Sequence, residues 1–303
     1  MPRTPEALRP YVQVMNDEPN YRNFLDKFNT LRKFYLSAEV LRRLAYEVIE
    51  DAYKDNVRYM ELRFTPAALA KTRGYPLHEV SHWMLMAVEK ARQDFPDMEV
   101  ELIASINRHE SLEIAEKVMR IAIDHKEDIV GLDLAGDEVN YPTAPFGPLF
   151  REARQAGLGT VVHAGEWTGP DTVRQAIEDL GAMRIGHGVR TVEDPDVAAL
   201  ARERGVTFEV CPTSNLQSGV VQRMSDHPLR QMLKLGLKAM INTDDPSVSD
   251  IVLTDEYEVV AEHLGLSADD IKQTILTGAA SVFQTHAARA QLVQQFKDQL
   301  NVK

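Results

Sequence analysis

The chain is 303 residues long, with 34 basic and 46 acidic side chains, a formal net charge of −12 and 44% hydrophobic residues. The acidic surplus argues against a nucleic-acid backbone or an anionic membrane as main partner, since both require a basic face, and no stretch approaches the ~20 apolar residues that span a bilayer. The single cysteine, Cys211, excludes an internal disulfide framework and a multi-cysteine zinc site; together with an N-terminus, MPRTPEALRPYV, that has no apolar signal core, it predicts a protein of the reducing cytosol.

Two patterns alternate along the chain. β-rich runs occur at 57–64, 99–107, 129–135, 159–164, 183–187, 207–211 and 238–242. Amphipathic helical stretches separate them at 38–55, 77–94, 110–125, 147–157, 170–181, 194–205 and 227–236. Strands alternating with helices read as βαβ units on a parallel sheet. Seven such strands without a linker predict one domain over residues 1–303, a (β/α)8 TIM-type barrel with seven of its eight strands in this chain. Beyond 246 the pattern turns purely helical, at 255–264, 268–278 and 285–299, which predicts extra C-terminal helices, the last fraying into QQFKDQLNVK.

Several strands run straight into polar residues capable of chemistry. GLDLAGDE ends in Asp137 and Glu138, VVHAGE in His163 and Glu166, RIGHG in His187, EVCPTSN in Ser214 and Asn215, and MINTDDP in Asp244 and Asp245. Parallel strands place their C-terminal ends on one rim, where barrel active sites are built, so these residues should converge on one mouth. A strand-end histidine such as His163 can serve a divalent metal, although such a residue is more often a hydrogen-bonded part of the core. Asp244 and Asp245 repel each other when desolvated and call for a cation or a donor substrate; equally, Asp-Asp-Pro is a sound helix start.

In the order GLDLAGDE, VVHAGE, RIGHGVR, EVCPTSN, INTDDP, with ELRFTP at 61–66 and INRHES at 106–111 before them, the chain resembles the adenosine deaminase family of metal-dependent amidohydrolases. The resemblance covers essentially the whole chain. It implies one catalytic divalent metal, usually Zn2+, with His163 and Asp244 as ligands. It implies that Glu166 protonates the purine N1, that His187 orients and helps deprotonate the attacking water, that Asp245 bonds N7, and that the Gly136 backbone N–H contacts N3. The implied reaction converts adenosine or deoxyadenosine to the inosine product plus ammonia, so the expected partner is a small purine nucleoside, with no nucleic acid and no membrane. LAGDE at 134–138 resembles the nucleoside-acting members more than the adenine-acting branch.

One family element has no counterpart. Two further zinc ligands come, in the family, from an H-x-H motif on the first barrel strand, and no pair among the nine histidines of this chain has that spacing. The opening RTPEALRPY resembles family sequence lying after that strand, which leads to the expectation that the native start lies upstream of Met1 and that the flanking strands are open edges. Two readings besides adenosine deamination therefore stand: deamination of a related aminopurine, either adenine or a modified adenosine, and a purine-binding remnant without activity.

A separate H-E-x-x-H match, His78 to His82, reads as a zinc-protease helix motif in isolation. Leu77, Val80, Met84, Ala87, Val88 and Ala91 form the apolar stripe of that helix, which puts His78, His82 and Glu89 towards solvent and argues against a metal site. Arg108 and His109 are expected to brace the mouth carboxylates, Cys211 to be a buried strand residue, Trp83 to pack on the outer helix and Trp167 to wall the pocket.

Overall fold

The computed structural model describes residues 4–15 and 17–302; Met1 and Lys303 lie outside them. Seven strands, β1 (Tyr59–Phe64), β2 (Glu99–Asn107), β3 (Ile129–Ala135), β4 (Gly159–Ala164), β5 (Arg184–His187), β6 (Thr207–Val210) and β7 (Lys238–Ile241), form one sheet in sequential order. Every adjacent pair is parallel. Each strand matches its apolar run to within two residues at either end, because runs of this length between helices leave the backbone no other way to satisfy its hydrogen bonds in a dry interior. The sheet curls with helices outside it, the architecture of a (β/α)8 TIM-type barrel of which the described residues contain seven strands, with β1 and β7 as its outer strands.

The main apolar layer lies between sheet and helices. Ile49, Val88, Leu102, Val118, Leu132, Phe150 and Phe208 are all essentially inaccessible to solvent. The helix Leu77–Asp94 buries Val80, Met84, Ala87, Val88 and Ala91 on its inner face and leaves His78, His82 and Glu89 exposed. The protease-like spacing is thus an outward-facing pattern on a barrel helix. Trp83 packs edge-on to Tyr75, with ring centroids 4.9 Å apart, in a small cluster with Leu41, Ala70 and Val80.

The barrel interior is polar rather than apolar. Arg63 of β1 pairs with Glu209 of β6 at 2.6 Å, and Arg184 of β5 pairs with Glu61 of β1 at 2.5 Å and with Glu209 at 2.8 Å. These ion pairs tie β1 across the interior to β5 and β6. Phe283, between two C-terminal helices, inserts its ring beneath the sheet, under the Arg184 guanidinium at 3.6 Å from the ring centroid. A Cβ at Gly159 would lie 2.1 Å from that ring, so the close approach requires glycine.

The three C-terminal helices span Leu253–Leu264, Ala268–Ser281 and His286–Leu300. The expected fraying is not found: the last helix runs on to Leu300. Thr285 caps its N-terminus, accepting from the Ala288 N–H, and Leu292, Val293 and Phe296 pack against Ala279, Val282 and Tyr59. Two helices that periodicity did not isolate, Pro5–Val12 and Tyr21–Leu31, reach the loops at the C-terminal ends of the strands. The Val14 N–H donates to the Val248 carbonyl at 2.8 Å, and Tyr21 packs on Trp167 with centroids 5.4 Å apart.

Candidate active site

The C-terminal ends of β4 and β5, together with the loop after β7, bring three metal-capable side chains together. Donor atoms of His163, His187 and Asp244 all lie within 4.8 Å of one another. They face a cavity of about 1000 Å3 in the barrel interior, also lined by Arg63, Arg184 and Glu209. A second cavity, of about 1030 Å3, lies against Lys71, His78 and Lys117 and holds His109, which packs near Tyr141 rather than bracing the mouth carboxylates.

His163 is the last inward-facing residue of β4. Its Nδ1 lies 3.0 Å from Asp133 Oδ1, one strand away, and Asp133 is held in turn by Ser105 Oγ at 2.8 Å and Arg63 Nε at 3.3 Å. Burial opposes charge on the His163 ring, but the adjoining Asp133 carboxylate outweighs it and raises the pKa. Burial likewise works against the Asp133 carboxylate, and the charges of His163 and Arg63 hold its pKa below the usual range. A carboxylate accepting the Nδ1 proton leaves Nε2 as the free ligand atom, the arrangement that supports metal-bound histidines.

His187 reaches the mouth by a different route. Ala164 is its register partner on β4, and Ala164 faces the outer apolar layer. The backbone of His187 is left-handed, φ 60°, which turns its imidazole inward to 5.3 Å from the His163 ring. Asp244 is also left-handed, φ 57°. Such backbones cost on the order of 1 kcal/mol each in a non-glycine residue, and their clustering at one rim is characteristic of functional positions. His187 is buried, and desolvation depresses its pKa to about 4, so the ring is neutral at physiological pH.

Glu166 is buried, with Oε2 3.6 Å from His187 Nε2. Burial, and then the negative charges of Asp244, Glu138 and Asp245, raise its pKa well above the usual carboxyl range, which favours a protonated side chain. Its position is set by Glu138. One carboxylate oxygen of Glu138 accepts from the Gly165 N–H at 2.5 Å and Thr172 Oγ1 at 2.7 Å, and the other from the N–H groups of Glu166, Trp167 and Thr168 at 3.1, 2.9 and 3.2 Å. Asp137, beside it, closes the turn after β3 by accepting from Val139 and Asn140.

On the other side of the mouth, Asp244 Oδ2 accepts from Ser214 Oγ at 2.7 Å and lies 3.9 Å from His187 Nε2. Asp245 opens the short helix Pro246–Ser249, and its side chain makes no capping bond. The helix-start reading of the Asp-Asp-Pro run is realised in the backbone, without a side-chain cap. Burial and the neighbouring Asp244 charge raise the Asp245 pKa well above the ordinary value. Gly136 follows β3 on the same rim with φ 90°, a conformation open to glycine, close to Asn107 and Arg108. Arg108 braces the mouth through carbonyls rather than carboxylates: its guanidinium donates to the backbone oxygens of His163 and of Tyr141. Cys211 is buried just beyond β6, at the start of the helix Pro212–Gln217.

Four residues that matter to this geometry were not singled out as site residues from sequence: Asp133 behind His163, Glu138 under the Glu166 loop, and Asn215 and His227 behind His187. Glu138 and Asn215 stood among the polar strand ends, and that was the available signal. Asp133 lay inside an apolar strand, and His227 carried no pattern at all.

Comparison with known proteins agrees with the geometry. The family profile described as adenosine deaminase matches residues 1–299. The chain is 39% identical over 292 residues to an adenosine deaminase of Klebsiella pneumoniae, covering 96% of this chain and 87% of that one. It is 37% identical over 295 residues to an adenosine deaminase of Vibrio parahaemolyticus, covering 97% and 88%. Among solved structures, an adenine deaminase from Arthrobacter aurescens superposes with a TM-score of 0.88 at 27% identity, over 98% of this chain and 88% of that one. An amidohydrolase from Burkholderia ambifaria solved with bound Zn superposes with a TM-score of 0.81 at 29% identity, over 91% and 80%. The curled parallel sheet, its rim of imidazole and carboxylate groups and these relationships have one common explanation: the chain belongs to the adenosine deaminase family.

Proposed function

We propose that the protein hydrolyses the 6-amino group of adenosine or deoxyadenosine, releasing ammonia. The observation that carries this reading is the meeting of His163, His187 and Asp244 within 4.8 Å beside a buried Glu166 whose carboxyl favours its protonated form. Attack of water at C6 makes that carbon tetrahedral and moves electron density onto N1, so a proton must be delivered to N1. Glu166, protonated in a dry pocket, is suited to deliver it. Asp245, with its raised pKa, would meet N7 as a hydrogen-bond donor, and the Gly136 N–H would meet N3. His187 would orient the attacking water.

His163 and Asp244 fit a divalent cation. One offers a carboxylate-backed imidazole nitrogen and the other a hard carboxylate oxygen, a donor set suited to Zn2+. Bound there, the cation would lower the pKa of water enough for attack at neutral pH. Two protein ligands are fewer than the three usual at catalytic zinc, and a weak affinity is expected. The small nucleoside substrate, the acidic surface and the buried lone thiol are all compatible with the cytosol.

The test combines elemental analysis for zinc with the absorbance change of adenosine on deamination, run in parallel on adenine and an N6-modified adenosine. With Zn2+ supplied in excess, zinc near one per chain with fastest turnover of adenosine supports the proposal. Preference for another aminopurine moves the substrate assignment, and purine binding with neither zinc nor turnover overturns the enzymatic reading.

A further inference from the structure

Behind His187 runs a chain of three hydrogen bonds whose direction can be worked out from one end. The Leu229 backbone N–H, which can only donate, lies 3.1 Å from Nδ1 of His227. Nδ1 is therefore the acceptor nitrogen of that ring, and the proton of the neutral imidazole sits on Nε2. His227 is neutral, because burial pushes its pKa down to about 3. Its Nε2 lies 3.1 Å from Asn215 Oδ1, so the amide oxygen accepts and the amide nitrogen faces the other way. That nitrogen, Nδ2, lies 3.2 Å from Nδ1 of His187. An amide NH2 can only donate, so His187 Nδ1 accepts and the proton of its neutral ring is on Nε2. Asn215 is completely buried, and His187 and His227 nearly so, leaving little water to offer the chain another arrangement.

We propose that His227 and Asn215 are positioning residues that fix His187 as its Nε2–H tautomer, so that His187 meets the mouth as a hydrogen-bond donor and is not a metal ligand through Nε2. This rests on the deaminase reading for its catalytic consequence, but not for the assignment of the proton. The groups facing that N–H are Glu166 Oε2 at 3.6 Å and Asp244 Oδ2 at 3.9 Å, with the His163 ring beside it. The two histidines of the mouth thus have opposite wiring. His163 has an acceptor, Asp133, behind it and turns a lone pair forward. His187 has a donor, Asn215, behind it and turns a proton forward. One suits a cation, and the other suits the oxygen of a water or the developing hydroxyl at C6. In this state His187 cannot take a proton at Nε2, so its contribution is orientation rather than base catalysis.

The tautomer can be read directly from long-range 1H–15N correlation spectra of the chain labelled with 15N-histidine, at pH 7 and without substrate. The His187 signals are assigned by their loss in His187→Gln. A protonated Nε2 with a bare Nδ1 is expected; the reverse pattern, or a doubly protonated ring, overturns the proposal. Asn215→Asp preserves shape but replaces the donor by an acceptor, and the proton should appear on Nδ1. An unchanged Nε2–H in the folded variant overturns the role of Asn215. His227→Leu, which removes the anchor of the amide, should give a mixture of tautomers, and a pure Nε2–H form there removes His227 from the proposal. This second variant also carries the test if the aspartate variant does not fold. Added Zn2+ should shift the His163 nitrogens and leave the His187 Nε2 proton in place; its displacement would make His187 a ligand. In turnover, Asn215→Asp should lower kcat by about 10-fold or more with KM changed far less, the pattern of an interaction made mainly in the transition state. An Nε2–H ring in a chain that does not deaminate adenosine would refute the functional reading alone, whereas turnover with an Nδ1–H ring would refute this inference alone.

Discussion

The two sides of the mouth are built differently. At the ends of β3, β4 and β5, each functional group has a dedicated support: Asp133 behind His163, Asn215 behind His187, and the five-fold-bonded Glu138 under the loop that carries Glu166. At the end of β7, Asp244 has one hydroxyl partner, Ser214, and Asp245 sits beside it with a like charge for a neighbour. The first side is organised before anything binds. The second holds the Asp244 carboxylate, which a cation would relieve, beside an Asp245 carboxyl whose raised pKa suits it to donate to an acceptor atom of a substrate. In the proposed reaction, pre-organisation on one side would fix where reacting atoms go, and the charge of Asp244 on the other would supply binding energy for a cation.

The sharpest way to break this contrast is to remove the proposed proton source from the organised side. Glu166→Gln should lower kcat by ~10³-fold, within the range for a lost general acid, with purine binding retained; a near-normal kcat places the acid elsewhere. On the sparse side, Asp244→Ala should weaken Zn2+ binding by about 100-fold or more, followed by metal titration, and an unchanged affinity would remove Asp244 from the ligand set. The support itself is probed by Glu138→Gln. A neutral amide cannot accept all five bonds, so the loop should loosen at a cost of about 2 kcal/mol in denaturant stability. The same substitution removes a negative charge that helps keep Glu166 protonated. The alkaline limb of the pH–rate profile, where a general acid is lost, should then move to lower pH; stability and pH profile both unchanged would mean that Glu138 is not the support.

A smaller effect concerns Glu256, which is fully buried and accepts from the Thr213 N–H at the start of the helix Pro212–Gln217. Burial raises its pKa from 4.5 to about 7 in the folded protein. The folded state therefore binds more protons than the unfolded state between those values, and stability falls as pH rises through that window. Melting of wild type and Glu256→Gln at pH 5 and pH 8 should show a loss of about 2 kcal/mol for the wild type that is smaller in the variant. Equal pH dependence would mean that the carboxyl is already ionised at pH 5.

Much of this was legible in the sequence for a simple reason. Strands β1 to β7 are short, apolar and separated by amphipathic helices, and that local pattern determines a parallel sheet whose C-terminal ends share a rim. Once the rim exists, His163, Glu166, His187 and Asp244 must be near one another, whatever their separation along the chain. What was not legible depends on contacts rather than patterns. The left-handed turn at His187 reverses the side its alternation would assign. The bond from His227 through Asn215 joins a loop to a strand end, and Asp133 looks like any residue of a buried strand until its neighbours are known. The helices Pro5–Val12 and Tyr21–Leu31 are not legible because they bury almost nothing apolar: the first buries no residue and the second, of its apolar residues, only Phe24.

The bend at His187 carries a consequence for anyone who replaces that residue. Its imidazole is packed into the mouth while its backbone is held left-handed, so replacement by glycine discards packing and relieves torsional strain at once. A melting temperature measured on such a protein reports the difference between two opposing quantities and can look deceptively benign. Turnover measured beside the melting temperature separates what the ring does from what the bend costs.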